Sequence, residues 1–301
     1  MSGDLLKRLF LNAEGRLRHF WRTAIFFALS AFIAPFLLQY PFVPVQKWLH
    51  IGDGLSADSI AFGEAINLLV ALLCTIPFAI YEHRGLLSYG FPLRSMLGPR
   101  LWEGFIVGVV MAALVAIGMI ALGGMQIKSF ALNGDALLYA GLAWLGANVL
   151  VGLGEEYYFR GYFLQSLWRS IGFWPAALVI AAIFAAAHYF FKPGENIWDV
   201  ITLVTLSLWL CYTVLRTGNL WFAVGFHIAF DFMQFFVIGT PNGKQIPQGR
   251  MFDVTFNGPA WLTGGVLGTE ASFLMYPLIA AIWLYVFWRF RGRPDFDPAA
   301  P

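Results

Sequence analysis

The sequence predicts an all-α fold, a polytopic membrane bundle of about eight transmembrane helices, on three observations. First, 59% of the 301 residues are hydrophobic and only 12% are charged. Soluble domains carry about 25% charged residues, so lipid must cover much of this surface. Second, the apolar residues fall into eight long runs. Third, lysine and arginine are distributed unequally between the connections that separate these runs.

The eight runs account for the predicted helices in order, because a helix needs about 20 apolar residues to cross a bilayer. They cover residues 21–40, 60–81, 101–123, 136–154, 174–191, 198–215, 220–239 and 271–288. The first run follows a basic stretch, as a signal peptide would, but it is long and lacks a clear small-residue cleavage site, so we expect an anchor. With no internal repeat, residues 1–301 are predicted to form one integral membrane domain.

Charge placement predicts the orientation of the chain in the membrane. One alternating set of connections holds 14 lysines and arginines and the other holds five. Cytoplasmic loops carry the excess, so both termini are predicted to be cytoplasmic, and we expect a bacterial inner (cell) membrane location. The net charge of +2 gives no support for a nucleic-acid partner. The two cysteines, Cys74 and Cys211, lie in apolar runs and are predicted to be buried free thiols.

Ionisable side chains cluster inside three of the later runs, where each costs roughly 2.5–3.5 kcal/mol. Such residues face the interior of a bundle and mark functional sites. Glu156 and Arg160 are four residues apart, as are His227 and Asp231, so each pair shares a helix face. The motif residues are Glu155, Glu156 and Arg160 at the end of the fourth run, His188 in the fifth, and His227 and Asp231 in the seventh.

Depth along the helices supports one shared cavity. The sequence after Arg160 stays apolar, so the fourth helix is predicted to continue to about Trp168. Glu155 would then lie about 20 Å from that end, and His188 at a similar depth, at 1.5 Å per residue. His227 would lie roughly 12 Å into its own helix. The longest polar connection, 240–270, is rich in Gly, Pro and Asn and is predicted to be a loop.

Each polar group also has a structural alternative. Glu156 and Arg160 could be an ion pair that locks two helices, and Glu155 could be an interfacial acid at a helix end. An intramembrane histidine such as His188 or His227 is often a hydrogen-bond partner between helices. Glu64, in the second run, has no motif partner and could be a structural polar group or lie near the interface.

Taken together, the three segments resemble the CPBP (Abi) family of intramembrane proteases, which includes the type II CAAX prenyl endopeptidases. The family pattern is Glu-Glu-x-x-x-Arg, then Phe-x-x-x-His, then His-x-x-x-Asn or Asp on successive helices. The match covers about residues 152–231, within a predicted catalytic core at about 136–239, and it includes Phe184 beside the residues named above. The first three runs and the last carry no matching motif.

The resemblance implies peptide-bond hydrolysis within the bilayer. It implies that Glu155 and His188 activate a water molecule and that His227 and Asp231 stabilise the oxyanion. An ionised Asp cannot donate a hydrogen bond, so Asp231 could instead orient His227 or act while protonated. Arg160 would hold Glu156, or meet a substrate carboxylate.

The sequence does not decide whether the site binds a metal, nor which class of function the protein has. Glu155, His188 and His227 could form a zinc site with one open position, but the His-Glu-x-x-His motif is absent, and a metal-free, glutamate-driven mechanism is the alternative. The leading prediction is an endopeptidase acting on a peptide or protein substrate in membrane lipid. A proton-coupled carrier or a non-catalytic membrane scaffold are the alternatives, although no inverted repeat supports a carrier. Substrate, prenyl dependence and oligomeric state are not predicted.

Overall fold

The computed structural model describes residues 3–298, so the first two and last three residues of the predicted domain lie outside the described part. Within it, eight helices are long and apolar enough to cross a membrane, which confirms the predicted helical bundle. The helices are α1 Gly3–Phe10, α2 His19–Leu37, α3 Val43–Trp48, α4 Ala57–Glu82, α5 Pro99–Ala121, α6 Gly134–Tyr158, α7 Leu164–Ile171, α8 Phe173–Phe191, α9 Ile197–Thr217, α10 Trp221–Phe232, α11 Ala260–Thr263 and α12 Met275–Phe290.

The fourth span extends well beyond its apolar run, as the sequence predicted. Helix α6 passes into a π-helical segment, Phe159–Phe163, and then into α7, giving a span of 38 residues from Gly134 to Ile171. Gly161 departs from helical geometry, with ψ at −122°. This kink is the feature that hydropathy did not predict, and π-helical segments often occur at functional sites.

The connection predicted as a plain loop contains regular structure. Strand β1, Met125–Phe130, pairs antiparallel with strand β2, Phe252–Phe256. The same connection also holds α11 and a 3₁₀ segment, Gly265–Ala271. The segment 240–270 connects the last two spans, as predicted, but the strand, the short helix and the 3₁₀ segment within it were not predicted. Two strands of five and six residues paired across more than 100 positions leave no local hydropathy signal.

Two buried apolar clusters surround the centre of the bundle. One is built mainly by α2, α4 and α6 to α8, and the other by α5, α9, α10 and α12. Cys74 lies in the first cluster, and both cysteines are buried free thiols, as predicted. Helix α10 packs against α5 and α6 on two sides.

Close approach to α10 depends on glycine at the facing positions. A Cβ on Gly104 of α5 would lie 2.0 Å from the Phe222 carbonyl oxygen of α10. A Cβ on Gly152 of α6 would lie 2.9 Å from the Ile228 side chain. Small residues let membrane helices approach this closely. They therefore fix the distance between His227 on α10 and the carboxylates of α6.

Candidate active site

Five helices enclose a cavity of about 150 Å³ beside the polar motifs. Helices α4, α6, α8, α9 and α10 supply most of the wall, and the segment after α10 covers one end. Its polar lining consists of Glu64, Glu155, His188, Lys192, Ser207, His227, Asp231, Asn242 and Glu270. Each of the three motifs therefore contributes at least one side chain to the same cavity.

Glu156 and Arg160 form a fully buried ion pair behind the cavity wall. The Arg160 Nη1 atom lies 3.2 Å from Glu156 Oε1, as their four-residue spacing allows. The Arg160 Nη2 atom donates to Ser207 Oγ of α9 at 2.6 Å. The guanidinium also lies over the Phe184 ring of α8, 4.9 Å from its centroid. This pair thus ties α6 to α8 and α9, and neither side chain lines the cavity.

His227 links the buried pair to the cavity. Its Nδ1 atom lies 2.9 Å from Glu156 Oε1. Its Nε2 atom lies 3.5 Å from Glu155 Oε2 and 3.5 Å from Asp231 Oδ2. Carboxylate oxygens only accept hydrogen bonds when ionised, so an imidazolium with two N–H donors would satisfy both sides of the ring.

Glu155 is the freest carboxylate of this group. Its Oε2 atom is buried and has no hydrogen-bond partner. The 3.5 Å contact with His227 is an electrostatic approach at the outer limit of hydrogen bonding. Glu155 lines the cavity, whereas the adjacent Glu156 points to Arg160, so the two neighbouring acids have different surroundings. A carboxylate with unused lone pairs in a cavity is able to bind and orient water.

His188 is half-buried and lines the same cavity from α8. Its Nδ1 atom lies 3.0 Å from the Phe184 carbonyl oxygen, one helical turn earlier. A carbonyl oxygen can only accept, so Nδ1 carries the proton and Nε2 is the acceptor of the neutral ring. Within residues 3–298, no direct ion pair or hydrogen bond joins His188 to Glu155. His188 and Glu155 therefore face the same cavity without contacting each other directly.

Glu64 belongs to the cavity, although no motif partner was predicted for it. The Asn67 Nδ2 atom donates to Glu64 Oε2 at 3.1 Å, one turn along α4. A Cβ on Gly154 of α6 would lie 3.3 Å from Glu64. Glycine at this position lets α4 approach the Glu155 turn. The signal available in the sequence was only an acid within a span.

A second charged group, not predicted from sequence, closes the end of the cavity. Lys192 Nζ lies 3.0 Å from Glu195 Oε1, 3.3 Å from Asp199 Oδ2 and 3.0 Å from Glu270 Oε2. Burial lowers the pKa of Lys192, but the three carboxylates outweigh burial and raise its pKa above the ordinary value. The Gln234 amide donates to the other Glu270 oxygen at 3.0 Å. We call Lys192, Glu195, Asp199 and Glu270 the Lys192 cluster.

The residues do not form a metal site in this arrangement. In the described part of the chain, no group of three or more His, Cys, Asp or Glu side chains is placed to hold a metal ion. Both ring nitrogens of His227 already face carboxylates, and His188 is not brought to Glu155 by a direct contact. The predicted zinc ligands Glu155, His188 and His227 line one cavity without converging on one point, and we derive no step through a metal.

Part of the chain matches a known protein family. Residues 137–233 match the family described as type II CAAX prenyl endopeptidase Rce1-like. This segment contains all three polar motifs, and the resemblance predicted from them is confirmed. No curated protein and no solved structure matches the chain.

Proposed function

Residues 137–233 match the family described as type II CAAX prenyl endopeptidase Rce1-like, and from this similarity we propose that this integral membrane protein is an intramembrane endopeptidase. One observation supports the proposal most strongly. The side chains of Glu155, His188 and His227, from three separate helices, line one cavity inside the bundle. Buried carboxylate and imidazole groups around a space large enough for water are the requirements of general acid–base hydrolysis.

We assign water activation to Glu155 and His188. The Glu155 carboxylate, which lines the cavity, accepts a proton from water, and the water oxygen forms a bond to the carbonyl carbon of the substrate. The His188 Nε2 lone pair, left free by the Nδ1 contact with Phe184, accepts the second hydrogen bond of that water. The proton held by Glu155 then passes to the leaving nitrogen as the C–N bond breaks. Positioned acid–base groups of this kind contribute about 10²–10⁴-fold to a rate.

We assign oxyanion stabilisation to His227. With Nδ1 bonded to Glu156, the other ring nitrogen faces the cavity side of the cluster, where the carbonyl oxygen would gain negative charge. Preorganised donors in a site that excludes water are the largest single source of such stabilisation. Asp231, 3.5 Å from the same nitrogen, acts in this proposal by orienting the ring. Glu156 and Arg160 are positioning residues, because they hold His227 from behind the cavity wall.

The substrate in this proposal is a peptide or protein segment reached within the membrane. The cavity end bounded by the Lys192 cluster lies on the side of the bundle opposite the arginine-rich connections. If the predicted orientation holds, with both termini cytoplasmic, this end faces away from the cytoplasm. Labelling of single cysteines introduced at exposed positions 14 and 244 in intact cells tests that orientation.

The activity test compares peptides that accumulate in cells producing the wild-type protein or Glu155→Gln. New peptide termini that depend on Glu155 identify a substrate, and its cleavage is then measured with purified protein in lipid nanodiscs. Glu155→Gln and His188→Ala are expected to lower cleavage by about 10²–10⁴-fold. Cleavage at the wild-type rate in both variants would contradict the assignment of water activation to Glu155 and His188.

The same preparation separates the alternatives. Ion flux in liposomes without a peptide product would favour the proton-coupled carrier, and absence of both would favour the scaffold. Dialysis against a chelator tests the zinc prediction. Because no three ligands converge in the described part of the chain, we expect cleavage to persist after metal removal.

A further inference from the structure

A second, apolar groove lies between α5 and α12, and neither helix contributes to the catalytic cavity. Its volume is about 370 Å³. Apart from Glu103 and Tyr285 at one end, its wall is made of aliphatic and methionine side chains. From Glu103 to Leu114 the groove extends about 16 Å at 1.5 Å per residue. That length matches one leaflet of a hydrocarbon core about 30 Å thick.

Arginines collect at the polar end of this groove. The guanidiniums of Arg100, Arg289 and Arg293 all lie over the buried Phe290 ring, at 4.5, 5.3 and 5.6 Å from its centroid. We call these three residues the Phe290 arginines.

The carboxylate of Glu103 pairs with two of the arginines at this end of the groove. Glu103 Oε2 lies 2.6 Å from Arg100, and Glu103 Oε1 lies 2.7 Å from Arg289. The Tyr285 hydroxyl also donates to Glu103, at 2.8 Å. Arg293 is exposed, and no carboxylate in the described part of the chain pairs with it. Three positive charges against one negative charge leave this end of the groove with an excess of positive charge.

We propose that the groove binds one anionic phospholipid, with an acyl chain along α5 and α12 and the phosphate at the Phe290 arginines. Arginine matches the geometry and charge of phosphate. Basic pockets between transmembrane helices are known to bind anionic headgroups. A second copy of the chain fits this surface less well, because two-fold pairing would bring the unpaired guanidiniums close to one another. This site is independent of the proposed peptidase activity.

Charge at the groove is tested by native mass spectrometry of purified protein with phosphatidylglycerol or phosphatidylcholine. Arg293→Gln is expected to weaken phosphatidylglycerol binding by about fivefold, since a basic residue near an anionic surface contributes about 1 kcal/mol. Arg94→Gln is the matched control, because Arg94 is exposed in the connection before α5 and contacts neither Phe290 nor Glu103. Equal losses in both variants would overturn the proposal in favour of general surface attraction.

The groove itself is tested by filling it. Ala281 is an exposed alanine in its wall, and Ala281→Phe should displace the lipid without changing charge. Ala182→Phe is the matched control, because it adds the same side chain at an exposed alanine of α8 that lines neither this groove nor the catalytic cavity. Loss of phosphatidylglycerol from Ala281→Phe alone would support the site. Retention of lipid in both variants, equal retention of phosphatidylcholine, or a dimer that Ala281→Phe dissociates would each overturn it.

Discussion

Two buried groups of charges can be compared within the same bundle. The Glu82 cluster consists of Glu82 at the end of α4 with Arg22, Tyr89, Tyr162 and Arg169 around it. Glu82 Oε1 lies 2.9 Å from Arg22 and 3.4 Å from the Tyr162 hydroxyl. Glu82 Oε2 lies 3.0 Å from the Tyr89 hydroxyl and 3.8 Å from Arg169. Burial and the carboxylate itself raise the pKa of Tyr89, so its hydroxyl stays protonated and donates.

The His227 cluster has the opposite balance. It contains three carboxylates, Glu155, Glu156 and Asp231, but only Arg160 and His227 as cationic partners. One oxygen of Glu155 and one of Glu156 are buried without a hydrogen-bond partner. Buried polar groups in native proteins are nearly always satisfied, and exceptions need an explanation. Both oxygens of Glu82 have partners, which marks this carboxylate as structural. Unused acceptors beside a cavity mark the His227 cluster as a site for a reacting molecule.

The largest expected effect separates these two roles. Glu155→Gln should reduce cleavage by about 10²–10⁴-fold, because it removes the proton acceptor. Its melting temperature should change little, since the Glu155 oxygen has no hydrogen bond to lose. Glu82→Gln should do the reverse and lower the melting temperature while the folded fraction keeps its activity. Cleavage assays and thermal unfolding in the same detergent measure both. A large stability loss in Glu155→Gln would contradict the comparison.

The second-largest effect is expected from replacing one arginine in each cluster. Arg160→Met leaves the fully buried Glu156 with His227 as its remaining cationic partner. Removing one partner of a buried pair costs about 3–5 kcal/mol. Arg22→Met should cost less, because Arg169 and two tyrosine hydroxyls still serve Glu82.

Chemical unfolding of both variants gives the difference in free energy. Equal losses of unfolding free energy in the two variants would show that the number of hydrogen-bond donors around the carboxylate does not distinguish the clusters. Cleavage should also fall in Arg160→Met through displacement of His227, and it should stay unchanged in the folded fraction of Arg22→Met.

The Lys192 cluster supplies an intermediate case and a test by pH. Lys192→Met leaves three facing carboxylates, at a cost of about 1–3 kcal/mol. Without the ammonium group the three carboxylates repel one another in the folded protein, and this repulsion grows as they ionise, so stability falls as pH rises. In the wild type the pKa of Lys192 is raised, so its contribution is complete below the unfolded value and stays constant between pH 6 and pH 8.

Melting temperatures at pH 6 and pH 8 measure this difference. The gap between wild type and Lys192→Met should widen at pH 8. Lys244→Met is the control, because Lys244 is exposed and forms no ion pair in the described part of the chain. A gap that stays constant with pH would show that the three carboxylates do not interact in the folded protein.

Local spacing predicted the His227 cluster and could not predict the Lys192 cluster. Glu156–Arg160 and His227–Asp231 are pairs four residues apart within apolar runs, so their helix face and burial follow from the sequence. Glu270, in contrast, comes from a connection predicted as a loop and meets Lys192 across 78 positions. Such a contact depends on how the segment after α10 folds back, and hydropathy carries no information about that path.

The sequence also could not predict which polar side-chain atoms have hydrogen-bond partners. Nothing in the order of residues shows that Ser207 accepts a hydrogen bond from Arg160, or that a Glu155 oxygen lacks a partner. The eight spans, by contrast, follow from hydrophobic run length alone. The membrane fold was therefore predictable, while the distinction between a positioning and a reacting carboxylate needed coordinates.

Glu64 gives the smallest expected effect and the finest test of the comparison. It lines the same cavity as Glu155, but one of its oxygens is already bonded by Asn67, as the oxygens of Glu82 are by their donors. If hydrogen-bonded carboxylates are structural and unpartnered ones react, Glu64→Gln should change the cleavage rate by less than about tenfold. That change is well below the effect of removing a general base. An amide can keep the Asn67 contact through its carbonyl oxygen, so stability should change by about 1 kcal/mol or less. Kinetics of purified Glu64→Gln beside Glu155→Gln provide the measurement. Equal losses would assign proton transfer to both acids, and lack of a hydrogen-bond partner would then no longer identify the reacting carboxylate.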